Sequence, residues 1–200
     1  MPELPQQRRE RFSAEYGLSE KDTEFLVSNP ALGDYFEHVA SELTSFEKLS
    51  HLERPKEEHR EKLLKLAANY LMTELSRMAG EEGKQPHDTK ITPDMFADFT
   101  VRVFHGQVSS SGAQTLLKEM FATGESPDHI IHAKDLEQVS DLDELAQAVA
   151  NVITSNAKAA EDFKKGKEAT LKFLVGMVMK ETKGKANPTI AEKLIREQLR

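Results

Sequence analysis

Five lysines gather near the end of the chain, at Lys167, Lys172, Lys180, Lys183 and Lys185, with Gly176 in their midst and Gly184 and Asn187-Pro188 after them. An ammonium group carries three donors and no acceptor, so such a row suits phosphate oxygens. On a helical wheel at about 100° per residue, with Lys172 at zero, Gly176 falls near 40°, Lys183 near 20°, Lys180 near 80° and Met179 near −20°. Leu171, Leu174, Met177 and Val178 occupy the other half. One face is therefore core and the other is a lysine row around a glycine. A glycine inside a helix costs roughly 1 kcal/mol relative to alanine, so it needs a use. Two uses fit: close approach of a phosphate–sugar backbone, or close packing of a neighbouring helix. Gly184 is expected to take the left-handed conformation that ends a helix. The restart at Asn187-Pro188 then offers N–H groups of a helix N-terminus beside two lysines, which is either an anion site or ordinary punctuation.

The charge balance gives this segment its meaning. Net charge is −7 over 200 residues. From Ser155 to Arg200 there are 11 Lys and Arg against 6 Asp and Glu, so the last part carries +5 and the rest −12. Such asymmetry fits an acidic body with a basic module that meets a polyanion, read here as RNA; it also fits lysine-rich solvated helices. The chain lacks cysteine, which removes disulfides and thiolate metal sites. No apolar run approaches the ~20 residues of a membrane span, and Met1 to Arg11 is not a secretory signal. The cytoplasm is the expected compartment.

No other residues converge on chemistry. Of the histidines (His38, His51, His59, His87, His105, His129 and His132), only His129 and His132 stand at helical spacing for a shared metal, and no carboxylate completes a site. Phosphate-loop, dinucleotide, zinc-protease and nucleophile-elbow patterns are lacking. Ser109-Ser110-Ser111-Gly112 reads as a helix cap rather than a nucleophile loop. Neither a catalytic nor a metal-ligating residue is expected.

The elements that must hold this segment are all helical. Helices are expected over 5–16, 19–28, 30–44, 55–79, 93–106, 110–123, 127–132, 141–154, 156–165, 168–183 and 188–199. Ser19, Thr92 before Pro93, and Asp141 with Glu144 supply N-terminal signals. Leu63, Ala67, Tyr70, Leu71, Leu75 and Met78 form a core stripe, and Gly80 closes that helix. Phe96, Phe99, Val103 and Phe104 line the next helix as core. Val101–Phe104 and His129–Ile131 are too short to be strands. The turn at Thr123–Pro127 divides a larger acidic bundle, residues 1–126, from a small basic one, residues 127–200.

These residues resemble a known family. Gly166-Lys167, Phe173-Leu174-Val175-Gly176, Met179-Lys180 and Lys183-Gly184-Lys185-Ala186-Asn187-Pro188 are similar to the tail domain shared by GatB, the B subunit of tRNA-dependent amidotransferases, and the YqeY proteins. Pro2-Glu3-Leu4-Pro5, Arg8-Arg9-Glu10-Arg11-Phe12, Tyr16-Gly17-Leu18-Ser19, Ala67 to Met72 and Ile91-Thr92-Pro93 resemble the helical domain of GatB. Tyr70 stands where the family has Trp, and Met177 where it often has Gln. Val108–Gln114 lacks two lysines of the family pattern.

The resemblance implies an all-α fold: a helical connector, residues 1–126, followed by a small YqeY-like tail, residues 127–200. With the lysine face read above, it leads us to expect tRNA binding through Lys167, Lys172, Gly176, Lys180, Lys183, Gly184, Lys185 and Asn187. The partners implied are tRNA(Gln), tRNA(Asn) or both, with the glutaminase (A) and C subunits of the amidotransferase, and neither DNA nor a membrane. The parent activity implied is that of a carbon–nitrogen ligase with glutamine as amido donor. Its ATP and Mg²⁺ would act in an N-terminal domain preceding Met1, so the chain is expected to be a carboxy-terminal, non-catalytic fragment. The rival expectation is a helical adapter that docks the glutaminase subunit without touching RNA.

Overall fold

The computed structural model describes residues 3–44, 59–138 and 142–199, with the backbone alone at residues 142 and 143. The expected Asp141 capping box, His51, the first residues of the 55–79 helix, Arg200 and the Met1-Pro2 start of the opening motif lie outside the described residues. The regular elements are helices: α1 (Pro5–Tyr16), α2 (Glu20–Ser28), α3 (Pro30–Thr44), α4 (Arg60–Tyr70), α5 (Ser76–Glu81), α6 (Pro93–Phe104), α7 (Ser110–Thr123), α8 (Pro127–Lys134), α9 (Leu142–Ser155), α10 (Ala157–Lys164), α11 (Ala169–Glu181) and α12 (Pro188–Gln198). Among the described residues no strand forms, and one isolated antiparallel bridge joins Val108 to Glu137. No described helix is long and apolar enough to cross a membrane.

The described residues form two compact units. The first comprises Met1–His105 and Leu116–Ile130; the second comprises Gly106–Thr115 and Ile131–Arg200.

In the first unit, α3 packs along α6 and α4. Phe12, Phe36, Phe96 and Phe99 are fully buried, and Phe12, Tyr16 and Phe36 meet at ring separations of 5.2 to 6.1 Å. The arginines of α1 are engaged within the unit. Arg8 pairs with Asp34 and Glu37, Arg9 with Glu24, and Arg11 with Glu3 and Glu37. Arg8 and Arg11 also flank the Phe12 ring at 5.0 and 5.2 Å. This explains why an acidic body keeps an arginine cluster: the cations fasten α1 to α2 and α3.

The long helix expected over 55–79 is interrupted by a π turn at Leu71–Leu75. Its buried residues Leu63, Ala67, Leu71, Leu75 and Ala79 recur every four positions. In an unbroken α-helix each such step drifts by about 40°. The wider turn lets the stripe stay on the core, and the Ser76 hydroxyl donates to the Leu71 carbonyl at 2.7 Å. Tyr70 is half-buried, edge-on to Phe99 at 5.1 Å. Ser19 caps α2 as expected, accepting from the Asp22 N–H at 3.2 Å. Thr92 sits at the N-cap of α6 before Pro93, but its side chain makes no capping bond.

The second unit is built on α9 to α12. Leu145, Val149 and Val152 of α9, Leu171, Leu174 and Val178 of α11, and Ala191 and Ile195 of α12 close one core. A small core depends on each member. Leu174→Ala should lower the unfolding free energy by about 2–5 kcal/mol, read by urea denaturation. Phe173→Ala, one residue away but half exposed, should change it by less than about 0.5 kcal/mol.

Candidate nucleic-acid interface

Helix α11 is two-faced because its apolar residues follow the helical period. Leu171, Leu174 and Val178 are at most 3% exposed. Ala169, Lys172, Phe173, Gly176 and Lys180 are exposed on the other side. Around Gly176 the space is open: a Cβ built there would meet no atom within 4 Å. Of the two uses for this glycine, packing of a neighbouring helix is not made by any of the described residues.

The helix ends on a tight double turn. The Lys183 N–H donates to the Lys180 carbonyl (3.1 Å) and the Gly184 N–H to the Met179 carbonyl (2.7 Å), the paired bonds of a Schellman cap. The left-handed conformation expected at Gly184 is present (φ 80), and Lys183 shares it (φ 52). The residue that glycine usually occupies is thus a lysine, held in sparsely populated backbone space. Gly184 is fixed from a second direction. The Ser111 hydroxyl donates to its carbonyl at 3.3 Å, and a Cβ at Gly184 would stand 2.9 Å from that hydroxyl oxygen. Ser109 accepts from the Gly112 N–H at 3.1 Å, so this serine segment caps α7 as read from the sequence, and also braces the lysine turn.

The remaining expected site residues have intramolecular tasks. Lys185, 21% exposed, forms an ion pair with Asp135, itself a left-handed residue (φ 53). Lys183 and Lys185 line a shallow cleft of about 450 Å³ that also holds Asp135, Glu144 and Glu181. Lys167 pairs with Asp162 at 3.0 Å. Asn187 caps α12, its side-chain oxygen accepting from the N–H groups of Thr189 (2.9 Å) and Ile190 (3.4 Å). Pro188 has no N–H. The Gln138 amide, turned so that both its ends are satisfied, donates to the Gly106 carbonyl (2.6 Å) and accepts from the Asn187 N–H (3.1 Å). The N-terminus of α12 is therefore already satisfied by the protein and offers no vacant donors to an anion. Ordinary punctuation is the better reading of Asn187-Pro188.

The structure thus brings Lys172, Gly176 and Lys180 together on one open face, with Lys183 at its end. It assigns Gly184, Lys185 and Asn187 to the turn and cap that hold that face. Phe173, 51% exposed, belongs to the same face and was not among the expected site residues. Its wheel angle of about 100°, beside Lys180, was the signal. Outside this region, His129 pairs with Glu125 at 3.0 Å, and among the described residues no three His, Asp or Glu side chains converge to hold a metal.

The model of a family described as "GatB domain" matches residues 55–199. The chain belongs to the GatB domain family. It is similar over its whole length to proteins named as the B subunits of aspartyl/glutamyl-tRNA(Asn/Gln) amidotransferase. Identity is 41% for the protein of Caldanaerobacter subterraneus subsp. tengcongensis, 39% for that of Thermoanaerobacter sp. strain X514 and 36% for that of Geobacillus thermodenitrificans. The chain spans 38% of the length of each of these relatives.

The glycines of this GatB domain should respond to substitution in opposite directions. Gly176→Ala should stabilise the fold by roughly 0.5–1 kcal/mol, since the site is helical and open, whereas Gly184→Ala should destabilise it by more than that. Urea unfolding of both variants decides. The acid–lysine pair of the turn should show in the pH dependence. The Asp135 carboxyl is held below the usual carboxylate range by the hydrogen bond and the charge of Lys185. A depressed carboxylate contributes its stability above its unfolded pKa and loses it as pH falls through the folded one. Its contribution should therefore be constant from pH 7 to 5 and fade below about pH 4. An Asp135→Asn variant should lack that part of the acid decline, read by unfolding midpoints across the pH series.

Proposed function

We propose that this chain is the RNA-holding part of an amidotransferase B subunit, gripping tRNA(Gln), tRNA(Asn) or both while the parent enzyme amidates the misacylated end. The observation that carries the reading is the open Gly176 between the exposed Lys172 and Lys180 on α11. With no Cβ there, a sugar–phosphate backbone can approach the helix surface, and the flanking ammonium groups neutralise phosphates. The core packing of α11 orients this face without the RNA, so little ordering remains to be done on binding.

In this reading the parent protein is a carbon–nitrogen ligase, with glutamine as amido donor and with the glutaminase (A) and C subunits as partners. ATP and Mg²⁺ supply carboxylate activation elsewhere in the parent. The described residues do not fit that pair, having neither a convergent set of metal-ligating side chains nor a phosphate-loop sequence. The chain's own contribution is positioning. The cytoplasm is the compartment proposed. The runner-up, an adapter docking the glutaminase subunit through the same face, draws its support from the exposed Phe173 ring.

Fluorescence anisotropy of the 200-residue chain with tRNA(Gln), titrated over salt, tests the proposal. Neutralising Lys172, Lys180 and Lys183 together should weaken binding and reduce the slope of log affinity against log salt by roughly one for each phosphate no longer neutralised. Lys185→Ala alone should leave the slope unchanged, because Lys185 is occupied by Asp135. An unaltered slope in the triple variant would sink the reading. Intact binding to the glutaminase subunit in a chain that ignores RNA would favour the adapter.

A further inference from the structure

Three large apolar side chains stand exposed among the described residues: Leu4, Phe25 and Phe173. Only Phe173 lies in the second unit, on the helix that carries the lysine face. Its surroundings separate it from an ordinary surface aromatic. Gly176 is three positions on and Lys180 seven, so the ring, the open glycine and the ammonium group share one strip of α11. Lys172 lies on the neighbouring strip. All four residues are exposed, and space above the glycine is empty. Of the nearest carboxylates, Glu181 lies on the far side of the helix and lines the cleft beside Lys183, whereas Glu168, four residues before Lys172, lines a cleft with it and pairs with Arg196 at 2.9 Å.

A protein-docking face is expected to centre on several apolar residues within a polar rim. Here one exposed ring, with Ala169 and the partly buried Met177 and Met179 as its only nearby apolar neighbours on the helix, stands beside cations and a bare stretch of backbone. That composition matches a nucleotide: a base has a π-face for the ring, and its flanking phosphates meet the lysines. Bases within a duplex have both faces covered by their neighbours, so the partner must present an unstacked base.

Resting on the RNA reading above, we infer that Phe173 is a stacking platform for a base splayed out of a folded RNA, with Gly176 admitting the adjoining sugar–phosphate backbone. The face therefore selects loops, bulges or corners of folded RNA over continuous duplex. Lys172 and Lys180 supply the sequence-independent attraction, and Phe173 supplies the preference for an unpaired nucleotide.

The test uses the full 200-residue chain with two RNAs: a hairpin carrying 2-aminopurine in an unpaired loop, and a blunt duplex with the same number of phosphates. The wild type should bind the hairpin more tightly and quench the 2-aminopurine fluorescence. Phe173→Ala and Phe173→Leu should weaken hairpin binding by about 5- to 100-fold, abolish the quench and leave the salt slope and duplex affinity unchanged. Phe173→Trp should restore both affinity and quench. Hairpin affinity and quench that survive Phe173→Ala, with the lysine-dependent salt slope intact, would overturn the stacking role and leave the RNA reading standing. Failure of the wild type to bind either RNA would overturn both. If Phe173→Ala instead loses the glutaminase subunit while keeping its RNA affinity, the ring is a protein contact and the inference is overturned.

Discussion

The burial of one side of α11 is the constraint on which the proposed interface depends. Leu171, Leu174 and Val178 close against residues of α9 and α12, and this burial fixes the rotation of the helix about its axis. Once those three positions are committed to the core, Lys172, Phe173, Gly176 and Lys180 fall on the exposed side of the helix. A binding surface held this way is rigid because its reverse is a packed interior, where even small volume changes are felt. The glycine that would otherwise weaken the helix is carried by that packing.

Charge in this protein divides into groups already satisfied and groups left open. In the first unit the arginines of α1 are engaged by Glu3, Glu24, Asp34 and Glu37, so a basic stretch of sequence becomes a structural clasp. In the second unit Lys167 and Lys185 have the same fate, while Lys172 and Lys180 stand exposed on the open face. Lys183 lies between these cases, its ammonium in an acidic cleft and its backbone in left-handed space. The basic excess from Ser155 to Arg200 therefore overstates what a polyanion would meet: part of it holds the turn together.

Bracing of that turn comes from sequence far from it. Ser111 reaches the Gly184 carbonyl, Asp135 reaches Lys185, and Gln138 spans Gly106 and Asn187. Gly106–Thr115 thereby belongs to the same compact unit as the tail. Within Val108–Gln114, which lacks the two lysines expected from the family resemblance, Ser109 contributes capping and Ser111 bracing.

The sequence by itself determined the helices, the buried stripe of α11 and the left-handed Gly184, because helical periodicity, caps and glycine conformational freedom are local properties. The same local pattern carried the family motifs from Pro2 to Pro188. Tertiary structure alone decided which lysines are open, because an ion pair such as Lys185 with Asp135 joins residues far apart along the chain. It also decided that the N-terminus of α12 is already satisfied and that Gly176 faces empty space rather than a helix. Those outcomes depend on which atoms the fold brings within a few ångströms of each other, and no spacing along the chain encodes that.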